Sequence, residues 1–267
     1  MSQLSRLFLV ARTDFSYFFR TKWLMAVLIS LNVSDMLVFG LVITNIVNRA
    51  YFTFLVPGIV TVGLFSAATD TGRRIWLALR EGVVQYYMTL PIGTAGLVVA
   101  YIISGGLGGV VYSSSLLVIA LIATSIVAST TFQLGPQNIL NAIMLFPFLF
   151  VLSTGIAGLA AFFASISRRG EMYWVYAQAL QVTMITLSTI FYPAQIISQY
   201  LPGPLATIAE NNPLSLAATA LRSSAFGSNP LDTGLLTNLI LTSLPLALIG
   251  AAAYWAILRN LRLRGKP

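Results

Sequence analysis

The sequence predicts an all-α polytopic membrane protein: six transmembrane helices, an amino-terminal amphipathic interfacial helix, and short re-entrant or outer helices before the last span. Three observations predict it. Hydrophobic residues make up 57% of the chain and charged ones 8%, where a soluble domain carries roughly 25% charged residues. The apolar residues fall in runs matching the roughly 20-residue helix that crosses about 30 Å of hydrocarbon. Of the 15 lysines and arginines, all but Arg49 and Arg222 fall in alternate gaps between those runs. Positive loops stay cytoplasmic, which predicts an even number of spans, both termini inside, and residence in the cell membrane.

The elements follow in order. Residues 1–22 carry Leu4, Phe8, Ala11, Phe15, Phe18 and Phe19 on one helical stripe, with Arg6, Thr13, Ser16 and Arg20 opposite. That pattern predicts a helix lying in the membrane interface, not a cleavable leader. The transmembrane domain is expected over 23–258. Its first span runs from about Trp23 to Ile46, anchored by Lys22 and Trp23. The second runs from about Tyr51 to Ala68, with Pro57–Gly58 as an expected kink whose freed carbonyl needs a neighbour. A polar inside segment over 70–92 follows, closed by Pro91.

The third run, Gly93 to about Val127, exceeds one crossing. Gly105, Gly106, Gly108 and Gly109 predict close packing, in a helix either strongly tilted or broken. A polar outside loop from Ser129 to Asn138 precedes the fourth span, about Ile139 to Ile166. Arg168 to Glu171 then lead into the fifth, about Met172 to Phe191. Five prolines mark the outer segment 192–234, whose apolar pieces are too short to cross. The sixth span, about Leu235 to Leu258, ends in a basic tail over 259–267.

Composition excludes several function classes. The chain has no cysteine and no histidine, hence no disulfide, thiolate nucleophile or imidazole base. No metal or other cofactor is expected on it. Seven carboxylates are scattered over different spans and loops, which argues against an intramembrane hydrolase. The net charge of +8 punctuates apolar segments instead of forming a basic groove, so no nucleic-acid partner is expected.

Three stretches carry a family resemblance. Phe54-Leu55-Val56-Pro57-Gly58 opens the second span; Arg80-Glu81-Gly82 precedes Thr89-Leu90-Pro91 on the inside. Leu201-Pro202, Asn212-Pro213-Leu214-Ser215 and Ala220-Leu221-Arg222 occupy the outer segment. In order, spacing and side they resemble the permease subunit of an ATP-binding-cassette exporter of the second type, a class that exports drugs, lipids and polysaccharides. The chain has no G-x-x-x-x-G-K-[ST] phosphate loop, so the resemblance implies a separate ATPase subunit, in two copies, holding ATP and Mg. It implies a second permease copy or a close relative, contact with membrane lipid, and no catalysis by this chain itself. Arg80, Glu81, Gly82, Thr89 and Pro91 would dock on the ATPase and move as a rigid body when its lobes close. Pro202, Asn212, Pro213 and Arg222 would shape the outer segment.

Polar residues inside the spans mark a candidate substrate route or subunit interface. Asp35, beside Asn32 and Ser34, is the carboxylate set deepest in a span, where a charge costs at least about 2.5–3.5 kcal/mol. A shifted first span would instead leave it near the outer surface. Gln178, Gln181 and Ser188 fall on one face of the fifth span and would line a route or bond neighbouring helices. The alternative reading is an ion-gradient-driven secondary transporter, with Asp35 on the ion path.

Overall fold

The computed structural model describes residues 3–20, 22–46, 50–89, 92–128, 132–227 and 229–263, which form helices without a strand. Arg49, Pro91 and the tail from residue 264 lie outside them. The helices are α1 (Gln3–Arg20), α2 (Lys22–Ile46), α3 (Ala50–Arg80), α4 (Val83–Thr89), α5 (Thr94–Val127), α6 (Pro136–Ile166) and α7 (Gly170–Thr186). The short α8 (Ala194–Tyr200), α9 (Gly203–Glu210) and α10 (Pro213–Ala220) follow. Then come a π-helical turn, Leu221–Phe226, and α11 (Thr233–Leu263). Four of them, α3, α5, α6 and α11, are long and apolar enough to cross a membrane, as in a multi-pass membrane protein.

The centre of the bundle is α3. Of its apolar window 78% is buried, against 22% for α11, which lies at the periphery. The core divides along the long axis. At one end Val10 and Ala11 of α1, Ile75, Val84 of α4, Leu97 of α5, and Tyr254 and Leu258 of α11 pack together. At the other, Phe52 and Leu55 of α3 meet Leu121, Leu145, Leu221 and Leu236. The gaps that the charge pattern assigned to one side thus gather at one end, which also holds α1 and the last turns of α11. Helices approach closely where side chains are small. A Cβ built on Gly250 of α11 would fall on the backbone of Gly158 of α6, so the two helices meet backbone to backbone there.

Several boundaries differ from those the sequence predicts. Residues 70–80, expected in a polar loop, extend α3 without a break to 31 residues, about 46 Å at 1.5 Å per residue. Asp70 pairs there with Arg73 three residues on and reaches Arg74 four residues on. The third run is one unbroken helix of 34 residues, which removes the broken alternative. In α7 the helix stops at Thr186, five residues short of Phe191. Pro136 is the first residue of α6, and α11 continues through Arg259 to Leu263, taking in the start of the expected tail. On α1 the protein-facing side is Val10, Ala11 and the edge carrying Asp14, while Phe8 is exposed. Of the predicted apolar stripe, Ala11 thus packs on the bundle while Phe8 faces away from it.

Candidate functional site

Two regions of the bundle hold most of the singled-out residues: a cleft midway along it, and the turn that joins α3 to α4.

The cleft, about 280 Å³, opens between α2, α3 and α7. Asn32, Asp35, Gln178 and Gln181 all line it. Asp35 is the fourteenth residue of the 25 in α2, so the helix places it at mid-length and not at an end. Its carboxylate is exposed to the cleft and has no hydrogen-bond or ion-pair partner among the described residues. Asn32 is buried beside it and donates from Nδ2 to Tyr112 Oη at 3.0 Å, tying α2 to α5. Ser188 does not belong here. It lies past the end of α7, buried, and donates to Ile185 O at 2.6 Å.

Sequence reasoning missed what α3 contributes to this cleft: Ser66, Thr69, Asp70 and Arg73. Arg73 Nε donates to Asp70 Oδ1 at 2.6 Å and its NH2 to Oδ2 at 3.3 Å. Behind them Arg74, 4% exposed, pairs with Asp14 of α1, donates to the Asp14 carbonyl at 3.0 Å, and reaches Asp70 at 3.5 Å. Thr71 accepts from Arg74 NH2 at 3.2 Å, and Ser104 Oγ of α5 donates to Asp14 Oδ2 at 2.6 Å. Two acids and two arginines therefore balance in one network that pins α1 to α3 and α5. Burial pushes the Asp14 carboxyl above its ordinary value, against the opposing pull of Arg74 and Ser104. The readable signal was the i, i+3, i+4 spacing of Asp70, Arg73 and Arg74, plus one acid on α1. Across the cleft, Tyr173 Oη of α7 donates to Thr69 O and holds α7 against α3.

At the α4 end, α3 terminates at Arg80, whose guanidinium lies 5.5 Å from the Trp76 ring centroid. Glu81 is exposed, and Gly82 turns the chain at φ +78°, a conformation side chains rarely take. The turn leads into α4, where Val84 is fully buried while Tyr86 stands 62% exposed. Thr89 is exposed and donates to Tyr86 O at 2.8 Å. Arg169, Gly170 and Glu171, from the α6–α7 turn, join Trp76 and Arg80 around an open groove. That second turn is an addition the sequence had not suggested.

At the opposite end the outer motif acts as a clamp. Pro202 is exposed and precedes α9. Asn212 caps α10: its Oδ1 accepts from Leu214 N at 2.9 Å, and Pro213 follows at the first helical position. Its Nδ2 donates to Leu187 O and to Met184 O, the latter at 2.8 Å, closing the end of α7. Arg222, placed by the sequence in an outer loop, is mostly buried. Its Nε donates to Phe54 O at 2.8 Å and its NH2 to Ile190 O at 2.7 Å, with the guanidinium 3.7 Å from the Phe54 ring centroid. Pro57 withdraws a donor from that turn of α3, and Arg222 adds one at the neighbouring carbonyl, Phe54 O.

Comparison with known proteins assigns no family: no family model matches the chain, and no curated protein matches its sequence.

Proposed function

We propose that the chain is the membrane-spanning subunit of an ATP-driven exporter of the second ATP-binding-cassette type. In this reading α2 and α7 join the four long helices to make six spans in the cell membrane, with both termini cytoplasmic. The α4 end faces the cytoplasm and docks a separate ATPase present in two copies, which binds the ATP and Mg. A second copy of the chain, or a close relative, completes the path. Substrate, an apolar or amphipathic drug, lipid or glycan, moves outward.

One observation carries the reading. A single helix, α3, bears Asp70 and Arg73 in the cleft and ends on the exposed Arg80–Glu81–Gly82 turn and α4. Motion imposed on that turn reaches the cleft without crossing a loop. Arg80, Glu81, Gly82 and Thr89 are the docking residues; the groove of Arg169 and Glu171 widens the same surface. The alternative, an ion-gradient-driven transporter, is favoured by the unpartnered carboxylate of Asp35.

The test is affinity purification of the tagged protein from its own membranes in mild detergent, with mass spectrometry and an ATPase assay of what stays bound. Recovery of a phosphate-loop ATPase is expected, and its loss in Glu81→Arg with the permease still inserted and folded. A folded protein that repeatedly brings down no ATPase turns the reading to the ion-driven transporter.

A further inference from the structure

We infer that the cleft between α2, α3 and α7 takes a monovalent organic cation with an apolar body, and that Asp35 is its counter-charge. This rests on the cleft belonging to the substrate route.

The argument is one of charge balance. Asp70, the other acid on the cleft wall, is satisfied by Arg73 at 2.6 Å and approached by Arg74 at 3.5 Å. Asp14, behind it, takes the remaining valence of Arg74. Those four charges sum to zero, and Asp35 is left over with no partner among the described residues. The cleft thus carries one uncompensated negative charge. It sits at mid-length of an apolar helix, where a bare carboxylate is costly in hydrocarbon and a bound cation relieves it.

The rest of the lining suits the body of such a molecule. Trp174, 53% exposed, lines the cleft, and indole faces attract organic cations. Leu31 and Val62 add apolar wall. Gln178 and Gln181 offer amides that donate or accept, orienting polar substituents without adding charge. An anionic substrate would meet Asp35 across the cleft, and a neutral one would leave its charge unanswered.

The experiment compares two ions of the same shape and opposite charge, tetraphenylphosphonium and tetraphenylborate. Binding to the purified full chain is measured by equilibrium dialysis in detergent, with partition into protein-free micelles subtracted. The wild type is expected to bind the phosphonium at least about tenfold more tightly, Asp35→Asn to lose that preference, Asp35→Glu to keep it, and Gln178→Glu to raise it. Equal binding of both ions by the wild type overturns the proposal, whatever the variants do. So does a preference that survives in folded Asp35→Asn. Binding of neither ion, with Asp35→Asn separating dimers into monomers, overturns it too and assigns Asp35 to the contact between copies. ATPase recovery is a separate readout. A chain that brings down its ATPase without a charge preference loses only the substrate class; one with the preference but no ATPase loses the exporter reading.

Discussion

Arg74 is the residue on which the α1 end depends. Its guanidinium serves Asp14, Asp70 and Thr71 from a site almost closed to solvent, so removing it leaves Asp14 buried without its counter-charge, while Asp70 keeps Arg73. Arg74→Met is expected to destabilise the protein by about 3–5 kcal/mol, read as a drop in thermal midpoint in detergent. Adding Asp14→Asn should recover part of the loss, because burial already favours the neutral form of that carboxyl. The sign with pH follows. In Arg74→Met the folded protein holds the Asp14 proton more tightly than the unfolded chain does. Stability is therefore greatest below the ordinary carboxylate pKa and falls as pH rises through the elevated one. A variant whose stability rose with pH over that range would contradict the assignment. Arg222 makes a different demand. Its fork spans two carbonyls, Phe54 O and Ile190 O, which a lysine cannot serve in the same planar geometry. Arg222→Lys should cost about 1–3 kcal/mol in the same melt, through an acceptor left unmet.

Among the elements, those read well from sequence are those whose apolar runs decide the outcome alone. Helices α5, α6 and α11 are of this kind. The second half of α3 was misread because Asp70, Arg73, Arg74 and Arg80 look like loop composition. Partners three and four residues away, and a second acid arriving from α1, keep those charges helical, and only the tertiary structure brings Asp14 there. The cleft was half legible for a related reason. Asn32, Asp35, Gln178 and Gln181 stand out as polar residues in apolar runs, whereas Ser66 and Asp70 acquire meaning from the face of α3 that they share. Ser188 failed because helical periodicity was extended past the point where Asn212 ends α7 by bonding Met184 O and Leu187 O. Packing between elements gives its own prediction. Gly250→Ala should force α6 and α11 apart at Gly158 and cost about 1–3 kcal/mol, seen as a lowered melting temperature; an unchanged melt would mean the helices have room to spare.

For the whole molecule, the proposed topology has a direct check because the chain contains no cysteine. Single cysteines at Arg169, exposed in the α6–α7 turn, and at Ser198, exposed on α8, lie at opposite ends of the bundle. A membrane-impermeant maleimide applied to intact cells should label Ser198→Cys and leave Arg169→Cys unlabelled until the membrane is opened. The reverse pattern would invert the protein and remove the docking surface from the cytoplasm.

The unbroken course of α3 sets a ratio of displacements. In the proposed transport motion Pro57, where the hydrogen-bond ladder is interrupted and Arg222 holds the chain, would be the pivot. At 1.5 Å per residue, Asp70 lies about 20 Å from that pivot and Arg80 about 35 Å. A swing of roughly 5° would then carry the Arg80 end about 3 Å and the cleft wall a little under 2 Å, with one side of the cleft moving as a piece. Under the proposed mechanism, travel at the cleft would thus be somewhat more than half of any stroke delivered to the α4 turn.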